Sequence, residues 1–322
     1  MAIKKGHSRP SRPTNQCPEP PRPSVRIRRF FPETAERSMN NLTPGDRVFH
    51  PKQQGWGLGK VLTVTSDSID VFFVGSGAKR LAKSYVQLEV AEGVMAKHRL
   101  LDNLIDATQI AGADYVTPAM AIERFLAAHP DGFATPKLAK EMREAVMRAH
   151  QFAIQLLGET EIAGLIAEGR YQDVCDRARH VESLTTLLTK SEKTALYAAL
   201  DQPLQQKTFA RALADLLYGD ESEENRFKEF TRSLHLLYLN RWPYATLFGF
   251  IRFPEQNAFI KPTLIQNVAK AFCWRINYKA EPNWRTYAAV LRLSSHLRAT
   301  LGEAGMAPRD MVDLHVFMTS LG

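Results

Sequence analysis

The sequence predicts an α+β protein: a small SH3-like β-barrel at residues 41–91, a mainly α-helical domain at 92–322, and a basic arm at 1–40 ahead of both. Three observations predict it. From Leu42 to Val90, short runs rich in Val, Ile, Thr and Phe are cut at Pro44-Gly45-Asp46, Gly55–Gly59, Ser66–Ser68 and Gly75–Gly77, the punctuation of strands joined by tight turns. From Gly93 onward the apolar residues recur at helical spacing. The first forty residues show no apolar period at all and hold seven of the eighteen prolines.

The arm carries Lys4, Lys5, Arg9, Arg12, Arg22, Arg26, Arg28, Arg29 and Arg37 against three glutamates, so it supplies most of the chain's formal charge of +8. So little apolar surface cannot offset the entropy of ordering the chain, and the arm is expected to be disordered. Two accounts of its charge stay open. Lys4, Lys5, Arg9, Arg12, Arg22, Arg26, Arg28 and Arg29 could contact DNA or RNA phosphates through counterion release, or the arm could be a solubilising terminus.

The barrel segment contains "QQGWGLGKVL", three glycines and a lysine in six positions. It fails the phosphate-loop pattern twice, because Gln54 stands where the first glycine belongs and Val61 follows Lys60 where a hydroxyl is required. Gly55, Gly57 and Gly59 also give GxGxG and lead into strands, whereas a dinucleotide fingerprint needs GxGxxG opening a helix. The glycines are therefore expected at a barrel corner, where a Cβ would clash. Four or five strands in about fifty residues suit a barrel that limits exposed edges.

The same stretch resembles the Tudor-like domain at the C-terminus of bacterial UvrD-type repair helicases and, more distantly, the CarD and transcription-repair coupling factor domains that grip RNA polymerase. The resemblance rests on Gly45, Asp46, Val48, His50, Pro51, Gly57, Gly59, Val61, Phe72, Phe73, Lys79, Arg80, Leu81, Tyr85 and Leu88. The departure is "KQQGWGLGK", longer than the usual turn and carrying Trp56. What the resemblance implies is an SH3/Tudor-like barrel that docks on RNA polymerase or a helicase and performs no catalysis. The contact residues proposed on it are Arg47, His50, Trp56, Lys60, Phe72, Phe73, Lys79 and Arg80.

The helical region opens with "AEGVMAKHRLLDNLIDATQIAGA", which has helical spacing, and continues with helices that start at Thr117-Pro118 and Thr135-Pro136, a cap followed by proline in the first turn. Helical patterns follow from Thr160 to Asp201 and from Leu204 to Asp220, with a change of texture near 220. Beyond it, "SEENRFKEFTRSLHLLY" shows one apolar face, and three more helices begin near prolines at 262, 282 and 308. The segments "FIKP", "PNWRTY" and "PRDMVD" resemble a region of uncharacterised bacterial proteins, which supplies no function. No period recurs, so the domain is no repeat array.

Candidate chemistry is sparse. Asp310 and Asp313 lie on neighbouring turns of one helix with His315 pointing largely away; they are the best catalytic candidates, and capping of a helix start is the simpler account. Arg252, Lys261, Arg275, Arg285 and Arg292 stand near Trp274, Trp284 and Tyr287, as a base-stacking groove or as buried aromatics with outward arginines. Cys17, Cys175 and Cys273 have neither zinc nor disulfide spacing. No metal and no cofactor is expected. No run of eighteen apolar residues occurs, so no membrane partner is expected, and a cytoplasmic location follows.

Together these features read as a non-enzymatic adaptor that binds a protein partner through the barrel and nucleic acid through the arm. Two alternatives stay open: a nuclease-like repair or phage-defence enzyme with its site among the helices, and a structural subunit of a larger complex. Oligomeric state is not addressed by the sequence.

Overall fold

The computed structural model of the protein describes residues 42–136 and 142–321. The arm, with its expected disorder and its basic residues, lies outside them. Strands β1 (Arg47–Phe49), β2 (Gly59–Val64), β3 (Ser68–Phe73), β4 (Gly77–Ala82) and β5 (Glu89–Val90) form one antiparallel sheet in the order β4-β3-β2-β1-β5. The turns fall where the glycines and Ser-Asp-Ser predict. A register shift between Val61 and Thr63 bends β2. Along β3 the side chains alternate: Ile69, Val71 and Phe73 enter a small core with Leu42, Val48, Val61, Val86 and Leu88, while Phe72 faces the other way.

The chain then turns helical. "AEGVMAKHRLLDNLIDATQIAGA", read as having helical spacing, forms only short pieces: a 3-10 turn (Gly93–Ala96), α1 (Arg99–Asp102) and α2 (Ala107–Ile110). Its backbone groups are used elsewhere. Arg275 N donates to Asn103 O at 2.7 Å, Ile105 N donates to Cys273 O at 2.9 Å, and Leu104 bridges Trp274, so residues 103–105 pair like a strand with 273–275. A helix would need the same groups for itself.

Then follow α3 (Pro118–Ala128), α4 (Glu144–Leu156), α5 (Glu159–Ala167), α6 (Tyr171–Ser183), α7 (Lys190–Ala199), α8 (Pro203–Tyr218), α9 (Glu223–Leu236), α10 (Trp242–Arg252), α11 (Pro262–Ala271), α12 (Trp284–Glu303) and α13 (Met311–Thr319). The caps explain several starts: Thr117 accepts from Met120 N, Thr189 forms a capping box with Glu192, Asn283 accepts from Thr286 N, and Asp310 accepts from Val312 and Asp313 N. Gly169, at φ +73°, turns the chain between α5 and α6.

The core is continuous across position 220, with Phe209 of α8 meeting Phe230 of α9 and Phe248 of α10. The described residues, 42–136 and 142–321, cluster as one unit. Leu58 and Phe72 of the sheet belong to the same buried cluster as the helices.

Candidate partner-binding surface

The glycine-rich turn lies backbone to backbone against the β3–β4 turn. Val74 N donates to Leu58 O at 3.0 Å and Gly75 N donates to Trp56 O at 2.9 Å. A Cβ on Gly75 would sit 2.3 Å from Gly55 O, and one on Gly59 would sit 2.7 Å from the Phe73 ring, so neither position accepts a side chain without displacement. The amides of Trp56 and Gly57 donate to Gln53 and Gln54 carbonyls. They are used inside the turn, and the loop does not form a phosphate cradle.

This packing holds Trp56 half-buried at one end of the sheet domain. Its ring rests on Phe73 at 5.1 Å between centroids, meets His50 edge-on at 5.0 Å, and has Lys79 Nζ 5.7 Å from its centroid. His50 Nδ1 accepts from Lys52 N at 3.2 Å, which fixes the ring beside the tryptophan. Lys52, Gln53, Gln54 and Gly55 around it are exposed. An aromatic held by a rigid turn with a cation beside it offers apolar area at small entropic cost.

Next to this cluster, β4 is an outer strand of the sheet, paired with β3 alone among the described residues. Its second edge presents free backbone groups of the kind that an added strand could pair. Lys79 projects to the Trp56 side, and Arg80 to the opposite face, where its Nε and Nη2 donate to Asp70 at 2.7 and 3.0 Å. Those hydrogen bonds hold the Asp70 carboxyl below its ordinary pKa, against partial burial and with help from the Thr63 hydroxyl. The Arg80 side chain stays 75% exposed.

The other sequence-predicted contact residues are occupied within the chain. Phe72 is fully buried and meets Tyr115 edge to face at 4.8 Å; Phe73 is fully buried in the small core. Neither is available as a surface contact. Arg47 pairs with Asp102 at 2.7 Å, and Lys60 Nζ donates to Leu101 O at 3.2 Å. Burial lowers the Lys60 pKa, with Arg47 and Arg275 adding repulsion and Asp102 opposing it. Tyr115 donates to Val74 O at 2.7 Å, and burial raises its phenol. The sheet domain therefore spends one face on its own helices and leaves the Trp56 end and the β4 edge outward. Sequence alone did not separate those sets, because Asp102 and Tyr115 carry no motif.

Comparison with known proteins agrees with the boundaries of this small domain. Residues 42–91 match the family described as "Protein of unknown function (DUF3553)". The match covers the five-stranded sheet and none of the helical region. No curated protein and no solved structure matches the chain at a significant level.

The catalytic candidates sit in the helical region. Asp310 accepts from Arg143 Nη1 and Nη2, both at 2.8 Å; Asp313 accepts from Arg143 at 3.0 Å and from Arg309 Nε at 2.8 Å. Burial alone would raise the Asp310 carboxyl, but the Arg143 hydrogen bonds and the amides of Val312 and Asp313 outweigh it and leave the pKa lowered. His315 is buried against Phe250 and Phe259, and burial with the charge of Lys261 lowers its pKa to about 4, despite a hydrogen bond to the Phe259 backbone. Asp310 caps α13, and the two carboxylates bind the guanidinium groups of Arg309 and Arg143; the latter escaped sequence reading because it lies 167 residues from Asp310. This is an ion network that ties α13 to the start of α4.

Among the described residues no group of three or more His, Cys, Asp or Glu is arranged to hold a metal. Cys175 and Cys273 are buried, which pushes their thiols to about 12 and about 11, away from nucleophilic chemistry. A cleft of about 300 Å³ opens between α8, α9, α10 and α12, lined by Phe227, Phe253, Asn257 and Tyr287 among others. Tyr287 donates to Asn257 Oδ1 at 3.0 Å and stacks on Phe227 at 4.6 Å, so its polar and aromatic groups already serve each other. Among the described residues no helix is long and apolar enough to cross a membrane.

Proposed function

We propose that the protein is a non-enzymatic adaptor whose sheet domain holds a protein partner through the Trp56 end and the free edge of β4. The observation that carries this reading is Trp56 itself, half-buried on a backbone-locked turn between His50 and Lys79 and adjoining an unpaired strand edge. Added strands bind through main-chain hydrogen bonds and gain specificity from a side chain or two beside the edge. Lys79 and Arg80 on β4 suit an acidic or polar partner strand. The resemblance of residues 42–90 to the Tudor-like domain of UvrD-type helicases, and more distantly to CarD-type domains, supports RNA polymerase or a repair helicase as the partner and transcription or DNA repair as the setting. Such a partner belongs to the cytoplasm. The basic arm, in this reading, adds electrostatic hold on nearby DNA or RNA.

The test is recovery of the full-length tagged protein from its native cells after nuclease treatment, wild type beside Trp56→Ala. The expected result is that RNA polymerase or a helicase accompanies the wild type and is absent from the variant, while circular dichroism shows both folded. The same partners on both, or none of this class on either, would overturn the reading.

A further inference from the structure

We infer that the outward face of α12 is a docking surface for the phosphate backbone of duplex DNA, formed by the folded body independently of the arm. Residues 271–300 contain Arg275, Lys279, Arg285, Arg292 and Arg298 against Glu281 alone. Arg285, Ala288, Arg292, Ser295 and Ala299 fall within about 80° of the helix circumference, and this is the exposed or half-exposed side of α12. No carboxylate lies on that face before Glu303 at the end of the helix.

Neighbouring segments add to the same surface. Arg99 reaches across from α1 and its Nη1 donates to Ser295 Oγ at 2.8 Å and Ser295 O at 3.1 Å. On the other flank, residues 274–277 run along α12: Trp274 stacks on His296 at 5.2 Å, Thr286 Oγ1 donates to Asn277 O at 2.8 Å, and Arg285 Nη2 donates to Asn277 Oδ1 at 3.4 Å. Arg275, in the middle of that run, is exposed and has only a long 3.8 Å approach to Asp106. Arg99, Arg285 and Arg292 form no ion pair with a described residue. Side-chain and backbone oxygens orient Arg99 and Arg285 without neutralising them.

The chemistry of the face selects its occupant. No exposed large hydrophobic residue lies between 271 and 300, so the apolar anchor expected of a protein interface is missing there. Of the aromatics that could have stacked single-stranded bases, Trp274 and Tyr287 are buried, and Trp284, half-buried, packs against Phe227 and Tyr287 with centroids 6.0 and 5.8 Å away. What remains is guanidinium groups spaced by seven helix residues, about 10 Å, on a smooth helix of Ala and Ser. Such a helix can lie along or enter the wide major groove of B-form DNA, whereas the major groove of A-form RNA is too narrow to admit side chains. Contacts of this kind bind without sequence preference and weaken steeply with salt.

The inference does not rest on Trp56: a chain that sheds its co-purifying protein through Trp56→Ala should still bind DNA. The experiment measures binding of the full-length protein to a mixed-sequence duplex DNA across a salt series, with a poly-glutamate peptide as the competing polyanion. It compares wild type, the triple variant Arg99→Ala/Arg285→Ala/Arg292→Ala, and a variant with Lys4, Lys5, Arg9, Arg12, Arg22, Arg26, Arg28 and Arg29 changed to Gln. The triple variant should bind the duplex at least about tenfold more weakly at low salt, and its log–log salt slope should fall by roughly 0.9 for each phosphate that it no longer neutralises. The arm variant should retain binding that the added triple substitution removes. All three substituted arginines are surface groups, and an unchanged thermal melt confirms that the fold persists. Equal affinity and slope in wild type and triple variant would overturn the inference. So would complete loss of DNA binding in the arm variant, or a triple variant that releases the peptide and keeps the duplex.

Discussion

Phe72 of β3 and Tyr115, in the loop before α3, meet edge to face with ring centroids 4.8 Å apart, and this contact seats the sheet domain on the helices. Tyr115 also donates to Val74 O one residue beyond β3, so a ring contact and a hydrogen bond act at one seam with the Arg47–Asp102 pair nearby on the same face. Docking of this kind decides which side of the sheet remains for a partner.

Phe72→Ala should therefore cost about 3–5 kcal/mol, the range for deleting a fully buried phenyl group. Tyr115→Phe, which keeps the ring and removes one hydrogen bond, should cost about 1 kcal/mol. Chemical denaturation of both variants checks this, and equal costs would mean that the ring contact does not dominate the seam.

The glycine turn makes a sharper contrast. Gly75→Ala places a methyl group within 2.3 Å of Gly55 O and should destabilise the sheet domain and shift Trp56 fluorescence, whereas Gly55→Ala meets nothing within 4 Å and should be close to neutral. Both are read by thermal melts and tryptophan emission.

Breaking the ion network should be costly. Asp310→Ala leaves Arg143, a largely buried cation, with Asp313 alone, and a loss on the order of 3–5 kcal/mol is expected. The pH sign follows from the lowered Asp310 pKa: its contribution is present above the ordinary carboxylate range and is lost as pH falls through the folded value. Stability curves of wild type and Asp310→Asn should converge as pH drops below about 4 and separate above it.

Two buried histidines set a second acid limit. Burial, with His98 and Arg99 beside it, lowers His296 to about 4, and His315 is likewise near 4. Both bind a proton more readily once unfolded, so stability should be intact above about pH 6.5 and decline as pH falls from there towards about 4, by up to about 1.4 kcal/mol per pH unit for each. His296→Gln should flatten part of that decline in urea melts at about pH 7, 6 and 5; an unchanged slope would show that folded His296 takes up its proton at the same pH as it does in the unfolded chain.

The fold class and most elements were legible in the sequence because they rest on local chemistry. Turn glycines cut the strands, the Thr117-Pro118 pair marked a helix start, and Asp310 capped α13 as its position suggested. The segment from Gly93 to Ala113 misled for a physical reason: its leucines have helical spacing, yet the backbone at 103–105 finds its hydrogen bonds on 273–275, in a distant part of the chain.

By itself, then, the sequence determined a glycine-punctuated sheet of four or five strands followed by helices, since propensity, turn chemistry and apolar period act over a few neighbouring residues. The tertiary structure alone decided which face each residue serves. Strand alternation sends Phe73 inward and Phe72 to the helices; Asp102 consumes Arg47, Arg143 consumes Asp310, and Trp56, Lys79 and the α12 arginines keep contact with water. Burial and charge pairing depend on residues brought together from distant parts of the chain, and no local pattern records them.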